Sequence, residues 1–430
     1  MARRRSVHAG GSGGTGTAFG MVDQAAATIP EVMLAWPGKN STERWLDMIC
    51  ARADGGAGLV RAEAVDWFGG GVLAHGDNLA LLLAMRSARL RVERGAGGAD
   101  RADSADSAGA AAGVPLVVID PPYAMQSDHS VVQVGTGRKI EHAYSDRWGS
   151  PGAYLSCMYL RLSLIRDVLS DDGVLFVHCD WRADSWLRVV LDEVFGRACF
   201  RNAIAWRRAP NLGAQAAGLQ LGRTSDTILV YSRRPGTKFR GRVPMRIEPV
   251  ALTRSGRPRG ARWDERAKAF FTTAPRGDYT DESIARLESE GRVLRSASGK
   301  VTIKYYLVQN EQGAWCKPMP MDTIWTDAQV RPLRHCSRAE LDIGYPTQKP
   351  EGLLERIVSW ASAPGDLVAD FFAGSGTSLA AAHRLGRRWL GCDQSPVAIR
   401  TMIRRLRETT GADVVARRVE FEAASPRSPS

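Results

Sequence analysis

Short apolar runs alternate with amphipathic stretches along most of the chain. The first such pair predicts a strand at 71–75 and a helix at 79–90. The β-branched run PLVVI predicts a buried strand at 115–119, and apolar residues at helical spacing predict a helix at 152–170. The same alternation returns after residue 350. Strands that take turns with helices predict a doubly wound α/β fold, in which helices cover both faces of a mostly parallel sheet.

The alternation is lost between residues 207 and 345, and this region is predicted to be a smaller inserted domain. Its opening stretch, 207–262, holds 13 arginines and lysines against two acidic residues, which predicts a basic face. The complete predicted organisation is a disordered segment at 1–35, a first half of the main domain at 36–206 with a flexible insertion at 91–113, the inserted domain at 207–345, a second half at 346–420 and a tail at 421–430.

Charge and cysteine usage narrow the class of protein. The 430-residue chain has a formal net charge of +12, and a polyanion such as nucleic acid is the natural partner for this excess. The seven cysteines are odd in number and form no C-x-x-C pair, so we expect neither a disulfide framework nor a zinc site, and no bound metal. The sequence shows no signal peptide and no apolar run of membrane-spanning length, so we expect a cytoplasmic protein without membrane contact.

A glycine-rich loop follows the predicted strand that ends in Asp370, within the sequence LVADFFAGSGT. Glycines allow a sharp turn and a close approach of a ligand, and the following helix presents free N–H groups. About 20 residues later the next predicted strand ends in Asp393, where a carboxylate can hold ribose hydroxyls. The spacing F-x-G-x-G differs from that of nicotinamide-binding enzymes. This order of elements predicts a nucleotide-like cofactor held by Asp370, Phe372, Gly374, Ser375, Gly376, Thr377 and Asp393.

A second motif, Asp120-Pro121-Pro122-Tyr123, directly follows a predicted buried strand. Prolines fix φ and lack N–H donors, so the carbonyls beside them are stiffly held acceptors. Together with the Asp120 carboxylate they can accept both protons of a planar amine, while Tyr123 offers a ring for stacking. An adenine extruded from its duplex fits this description, although an ordinary Asp-Pro turn with a packed tyrosine has the same sequence. We expect an irregular loop from there to Trp148.

Taken together, the two motifs resemble those of the amino-group DNA methyltransferases, which carry D-P-P-Y and F-x-G-x-G. The order of catalytic motif, basic region and cofactor motif is similar to the β class of these enzymes, and in part to type III modification subunits. The resemblance includes the G-D element at Asp77 and the stretch Thr347-Gln348-Lys349-Pro350, and it covers roughly residues 36–405. It departs from the family at Phe371, where proline is usual.

The resemblance implies a Rossmann-like methyltransferase domain with an inserted target recognition domain, and S-adenosyl-L-methionine as cofactor. It also implies site-specific methylation of N6 of a flipped adenine in double-stranded DNA. By the same resemblance the catalytic residues are Asp120, Pro121, Pro122 and Tyr123, and the residues that join the glycine loop at the cofactor are Asp77, Thr347, Lys349 and Pro350.

Several alternatives stay open. Methylation of cytosine N4 is the nearest, and Asp120 favours adenine because the family's N4 enzymes more often carry serine there. A DNA-binding protein without catalysis leaves the intact motifs unexplained, and a nicotinamide oxidoreductase leaves the basic region unexplained. The resemblance implies a bacterial or phage cytoplasm and leaves a homodimer and a restriction subunit open as partners. Trp206 is expected either to cover the second face of the base or to pack in the core, and His178 to be a buried structural residue.

Overall fold

The computed structural model describes residues 35–54, 60–62, 67–95, 113–134, 138–210, 221–310, 312–341 and 343–421. The expected disordered segment at 1–35 and the expected tail at 421–430 therefore lie outside the described residues, apart from residues 35 and 421. Most of the expected insertion at 91–113 also lies outside them, but its first residues continue a helix as far as Gly95.

The described residues form nine α-helices: α1 (Lys39–Asp54), α2 (Asn78–Gly95), α3 (Pro151–Val168), α4 (Asp184–Phe195), α5 (Asp281–Ser289), α6 (Arg338–Leu341), α7 (Glu351–Ala361), α8 (Thr377–Arg384) and α9 (Pro396–Thr410). Both α3 and α9 begin with a proline that follows a serine N-cap, Ser150 or Ser395, whose side chain accepts a backbone N–H of the first turn. None of the helices in the described ranges is both long and apolar enough to cross a membrane.

The strands found in the same ranges are β1 (Val60–Ala62), β2 (Val72–Gly76), β3 (Val114–Ile119), β4 (Asp128–Val134), β5 (Arg138–Ser145), β6 (Leu169–Cys179), β7 (Phe200–Arg207), β8 (Ser225–Ser232), β9 (Met245–Pro249), β10 (Arg262–Asp264), β11 (Ala269–Pro275), β12 (Val293–Arg295), β13 (Val301–Tyr306), β14 (Val308–Gln309), β15 (Trp315–Pro320), β16 (Ile324–Trp325), β17 (Leu367–Asp370), β18 (Arg388–Asp393) and β19 (Ala416–Phe421).

One large sheet carries the main domain, in the order β1-β19-β2-β18-β17-β3-β6-β8-β7-β16. From β19 to β6 all neighbours are parallel, whereas β8 is antiparallel to both β6 and β7. The chain passes from β17 to β18 in one direction and from β3 to β6 in the other. The carboxyl ends of β17 and β3 therefore form the switch point at which α/β sheets bind ligands. This order confirms the predicted doubly wound, mostly parallel, Rossmann-like fold.

Helices cover both faces of the large sheet. One apolar cluster contains Leu81 of α2, Ile165 of α3 and Leu187 of α4, and the other contains Ile357 of α7 and Met402 of α9. The strand β3, which leads to the D-P-P-Y motif, is buried along its whole length between these layers. Because both faces are covered, the strands can be apolar throughout, as the sequence predicted.

Two parts of the chain differ from the sequence prediction. The stretch that leads to Trp148 is not irregular throughout, because β4 and β5 pair as an antiparallel hairpin. Many of its residues are polar, so it lacks the apolar run from which a strand is predicted. In addition, β8 and the short β16 lie within 207–345 but belong to the large sheet. The apolar run of β8 fills the place between β6 and β7, and β16 pairs with β7 at the edge. The strands outside the large sheet that belong to the inserted region begin at Met245.

The inserted region forms two small antiparallel sheets, with the orders β10-β11-β13-β12 and β14-β15-β9. A small apolar core joins α5 to the first of them through Ile284, Leu287 and Ile303. The second sheet is exposed along β9. This region thus folds beside the large sheet with a core of its own, which suits an insertion that varies independently of the main domain.

Candidate active site

Asp120 and Tyr123 lie just beyond the carboxyl end of β3, at the switch point. The Tyr123 hydroxyl donates a hydrogen bond to the Asp120 carboxylate, and Tyr123 is otherwise buried. Burial, together with the negative charge of Asp120, raises the pKa of Tyr123 well above its ordinary value of 10.0. Tyr123 therefore keeps its proton and remains a donor to Asp120 at physiological pH.

The ammonium group of Lys349 is the second partner of Asp120. Its Nζ donates to the Asp120 carboxylate, to the Tyr123 hydroxyl oxygen at 3.2 Å and to the Thr347 carbonyl at 3.1 Å. The same nitrogen lies 5.7 Å from the centroid of the Tyr123 ring. The sequence resemblance placed Lys349 with the cofactor, whereas the structure brings its charged end onto the D-P-P-Y motif. A cation in this position balances the charge of a half-buried carboxylate.

The loop that follows the motif is held by Asp146, which the sequence analysis missed. Its buried carboxylate accepts the backbone N–H groups of Tyr123 and Ala124 at 3.0 Å and of Met125 at 2.9 Å, and the indole N–H of Trp148 at 2.8 Å. Ala124 has φ +58°, a left-handed conformation that residues other than glycine rarely adopt. Charge-assisted hydrogen bonds to one carboxylate stabilise this strained turn. Asp146 comes directly after the hairpin, and no motif marks it.

The glycine loop between β17 and α8 leaves no room for side chains at its two glycines. Gly374 has φ +48° and Gly376, the N-cap of α8, has φ +73°. A Cβ would lie 3.2 Å from the Tyr345 ring at the first position and 2.8 Å from Met402 Cγ at the second. The backbone therefore forms a close-fitting cradle below the free N–H groups at the start of α8.

Two carboxylates anchor this cradle. Asp370 accepts the Phe372 N–H at 2.9 Å and the Ser378 hydroxyl at 2.5 Å, and Asp393 accepts the Gly374 N–H at 2.9 Å and the Ser395 N–H at 2.8 Å. Burial raises the pKa of Asp370 from 3.8 to about 7, and burial also raises the pKa of Asp393. Each oxygen keeps a lone pair, so both carboxylates can accept further hydrogen bonds from hydroxyl or amino groups.

Asp77 lies at the end of β2, but it faces the start of α2. Its carboxylate accepts the Leu79 N–H at 2.9 Å and forms an ion pair with Arg161 at 2.8 Å. The next residue, Asn78, lines the cavity instead, where it donates to the Phe371 carbonyl at 2.6 Å and accepts from Arg161 Nε at 2.6 Å. Of the polar pair that follows this strand, Asn78 and not the predicted Asp77 therefore lines the cavity.

On the side of β6 the cavity is bordered by His178. The imidazole and the Tyr123 ring are nearly parallel, with centroids 6.2 Å apart, and its Nε2 lies 3.0 Å from a carboxylate oxygen of Asp226. Trp206 is buried behind His178, and its indole N–H donates to the Val330 carbonyl at 2.7 Å. Of the two roles considered for Trp206, packing in the core is the one that the structure shows.

A single cavity of about 200 Å³ joins the two motifs. Among the predicted site residues, those that line it are Asp120, Pro122, Thr347, Lys349, Asp370, Phe372, Gly374, Ser375, Thr377 and Asp393. Pro121 is buried beside it, while Asp77, Pro350 and Gly376 lie at the starts of α2, α7 and α8. Within the described ranges no group of histidine, cysteine, aspartate and glutamate side chains is arranged to hold a metal ion.

The arrangement of strands and motifs is that of a known family. The model of the DNA methylase family of N6 and N4 methyltransferases matches residues 114–404, from the strand before D-P-P-Y into the last helix. The match covers more than half of the chain, so this protein belongs to the DNA methylase family. It confirms the family resemblance that the two motifs and their order indicated.

Individual relatives are of two kinds. The type II methyltransferase M.EcaI of Enterobacter cloacae is 31% identical over 309 residues, which cover 67% of this chain and 64% of that protein. The type III restriction-modification enzyme StyLTI Mod subunit of Salmonella typhimurium is 24% identical over 312 residues, which cover 62% and 45%. The alignments thus span less than two thirds of either relative. A solved M1.HpyAVI–SAM complex covers 78% of this chain and 98% of its own at 13% identity, with a TM-score of 0.38.

S-adenosyl-L-methionine, the cofactor that accords with this family, fits the part of the cavity beside the glycine loop. The cradle at Gly374 lets a ligand approach the backbone closely, and Asp393 offers lone pairs at the position where ribose hydroxyls are usually held. Asp370 adds a second acceptor for a positively charged ligand, and the half-buried Phe372 adds an apolar surface. The donors and acceptors present are those of a nucleoside site.

Proposed function

We propose that this protein is a site-specific DNA methyltransferase that transfers a methyl group from S-adenosyl-L-methionine to N6 of a flipped adenine. One observation carries the proposal. Asp120, at the end of β3, and the glycine loop after β17 line the same cavity at the switch point of the sheet. A carboxylate that can accept the protons of an amine therefore faces a cradle for a nucleotide-like cofactor, which is the arrangement that methyl transfer to nitrogen requires.

S-adenosyl-L-methionine supplies an electrophilic methyl group when it is bound. The backbone at Gly374 and the ring of Phe372 would hold its nucleoside part, and Asp393 would accept from its ribose hydroxyls. Asp370 and the start of α8 at Thr377 would contact its charged end. These roles are supported by the close fit at Gly374 and by the two buried carboxylates.

The target amine is a weak nucleophile, because the lone pair of adenine N6 is delocalised into the ring. Asp120 and the Pro121 carbonyl would accept its two protons in hydrogen bonds and so localise the lone pair on nitrogen. Tyr123 would stack on the base, with its hydroxyl held by Asp120. With its lone pair localised, the amine nitrogen would be placed to accept the methyl group that the cofactor supplies. The proton that the amine loses after transfer would pass to Asp120 or to solvent, so a strong base is not required. Asp120 thus contributes mainly by positioning and by electrostatic stabilisation.

Adenine is favoured over cytosine as the target by Asp120, since the N4 enzymes of the family more often carry serine at this position. Reading of the DNA sequence is assigned to the inserted region, whose strands β9 to β15 stand outside the large sheet. Its many arginines would contact phosphates, and some would read base edges in the major groove.

The test is a transfer assay with tritium-labelled S-adenosyl-L-methionine and unmethylated genomic DNA, followed by digestion and separation of the nucleosides. We expect label in N6-methyladenine, and in Asp120→Ala a loss of at least about a hundredfold with cofactor binding retained. Asp413→Ala, which removes an exposed carboxylate at the end of α9, is the matched control and should keep full activity.

The other outcomes separate the alternatives. Label in N4-methylcytosine would keep the reaction class and overturn the assignment of adenine. DNA binding without any label would identify a binding protein that has lost catalysis. Partners are a separate measurement, because the names of the relatives include both a type II methyltransferase and a type III Mod subunit. Light scattering distinguishes a monomer from a homodimer, and co-purification with a nuclease tests for a restriction subunit.

A further inference from the structure

Trp181 is an exposed tryptophan at the same edge of the sheet as Asp120. It lies two residues beyond β6 and is 43% exposed. Because β6 is the parallel neighbour of β3, with Ile119 opposite Val177, both chains leave the sheet side by side. The turn that follows β6 therefore stands beside the D-P-P-Y motif at the carboxyl edge of the sheet.

Two guanidinium groups flank the Trp181 ring. Arg223, which precedes β8, lies 3.6 Å from the ring centroid, and Arg182 lies 4.9 Å from it. Planar cations of this kind are attracted to the face of an indole. Arg223 is stacked over the indole and Arg182 lies close to it, so the three side chains form a cation–indole stack. They come from two segments of the chain that meet only in the folded protein.

The turn that presents Trp181 is held from below by Asp180, which is 4% exposed. Its carboxylate accepts the Arg182 N–H at 2.8 Å and forms an ion pair with the Arg182 guanidinium. Its carbonyl accepts the N–H groups of Ala183 at 3.1 Å and Asp184 at 3.0 Å. The exposure of Trp181 is thus fixed by the turn itself.

We propose that Trp181, Arg182 and Arg223 bind the DNA strand next to the flipped base. The ring and the guanidinium planes would cover the neighbouring base, which loses a stacking partner when the target base leaves the duplex, and the charges would neutralise phosphates. Exposed Arg207, at the end of β7, adds positive charge along this edge, whereas Arg208 is paired with Asp226 at 2.9 Å. This charge selects a polyanion as the occupant. The surface rests on the proposed function and adds a DNA contact outside the inserted region.

The first test measures the kinetics of methyl transfer to unmethylated plasmid DNA. Trp181→Ala should raise KM for DNA about ten-fold, since stacking on a base is worth that much, and leave the Kd for S-adenosyl-L-methionine unchanged. Trp181→Phe keeps a ring and should recover most of the affinity. Trp45→Ala is the matched control, because Trp45 is 38% exposed on α1, and it should behave as the wild type.

The salt dependence of binding to a mixed-sequence duplex separates the two kinds of contact. Arg223→Gln should reduce the slope of log K against log salt by about 0.9, as for one lost phosphate contact, while Trp181→Ala should weaken binding at every salt concentration without changing the slope.

An active wild type together with unchanged KM and slopes in these variants would overturn the proposed DNA surface but not the proposed function. A changed molecular mass with unchanged DNA binding would assign the surface to a protein contact and overturn it as well. A wild type that transfers no methyl group refutes the proposed function itself.

Discussion

The Lys349 ammonium and the Asp120 carboxylate form an ion pair in the centre of the cavity, although 229 residues separate them in the sequence. The lysine comes from the segment before α7 and the aspartate from the end of β3. The Tyr123 hydroxyl contacts both groups. The ammonium thus donates to the same carboxylate that the target amine is proposed to use. Lys349, which belongs to a segment expected to bind the cofactor, therefore contacts the residue that is proposed to accept the amine protons.

We expect Lys349→Met to affect the catalytic step more than cofactor binding. Without the ammonium, the Asp120 carboxylate has no cation beside it and the Tyr123 hydroxyl loses a donor, so the acceptor site is held less firmly. The value of kcat should fall about ten- to a hundredfold, as for the loss of one positioning interaction. The Kd for S-adenosyl-L-methionine, measured by calorimetry, should change less than about threefold, well below 1.4 kcal/mol.

Lys349→Arg is the control for charge, and it should retain more activity than the methionine variant because a cation remains next to Asp120. A tenfold weaker cofactor affinity with an unchanged kcat in Lys349→Met would contradict this assignment. That outcome would return Lys349 to the cofactor-binding role that the family resemblance implied.

Asp146 should be essential for the loop that carries Tyr123. Asp146→Ala leaves the N–H groups of Tyr123, Ala124 and Met125 without their acceptor, which should reduce the free energy of unfolding by about 3 kcal/mol. The loss of a fixed Tyr123 should also reduce kcat about a hundredfold. Urea unfolding and the transfer assay measure the two effects.

The matched control for Asp146 is Asp128, which begins the other strand of the same hairpin opposite Ser145 and pairs with exposed Arg147 at 2.8 Å. Asp128→Ala should leave the free energy of unfolding close to that of the wild type, because an exposed ion pair contributes little. Equal losses in the two variants would show that the hairpin as a whole, and not the Asp146 acceptor, supports the loop.

The sequence contained enough information for the sheet and for both motifs. Asp120 and Asp370 each end a fully apolar run, and parallel strands deliver such residues to one edge of the sheet. The pairing of β3 with β17 in the sheet could not be derived from the local sequence pattern, because about 250 residues lie between the two strands. They followed from the order of the motifs and their resemblance to a family.

Other features depend on tertiary contacts that leave no local signal. Asp146 acts on residues 21 to 23 positions earlier through the hairpin of β4 and β5, whose largely polar sequence does not mark it as two strands. Asn78 reaches the cavity because Arg161 of α3 holds its amide, and only the fold brings these residues together. The family resemblance identified Lys349 as a site residue, but it did not predict the contact with Asp120. A long, flexible lysine side chain can reach either half of the cavity, so its sequence position does not determine its partner.

Gly374 should be required for cofactor binding, in addition to the stability that a glycine provides at any position with positive φ. Gly374→Ala places a Cβ 3.2 Å from the Tyr345 ring, inside the cradle, and should raise the Kd for S-adenosyl-L-methionine about ten-fold or more. Gly411→Ala is the control, because Gly411 has φ +69° at the end of α9 and open space around it. Both variants should lose about 1 kcal/mol of stability from backbone strain, and only the first should lose affinity. An equal Kd for S-adenosyl-L-methionine in the two variants would contradict a role of Gly374 in cofactor binding.

Asp370 should make stability depend on pH near neutrality. Burial raises its pKa from 3.8 to about 7, so between these values the folded protein binds more protons at this site than the unfolded chain. The free energy of unfolding therefore decreases as the pH rises through this window, and the contribution is fully lost above pH 7. The physical cause is that burial removes most of the water that would stabilise the ionised carboxylate.

Asp370→Asn removes the titrating group and keeps one oxygen that can accept from Phe372 N–H. The difference in melting temperature between variant and wild type should become more positive by a few degrees from about pH 5 to about pH 8, because only the wild type loses stability in this window. Asp413→Asn, at an exposed site, should show the same difference at both pH values. If the Asp370→Asn difference is also constant, Asp370 does not titrate near neutrality and the predicted pH dependence is wrong.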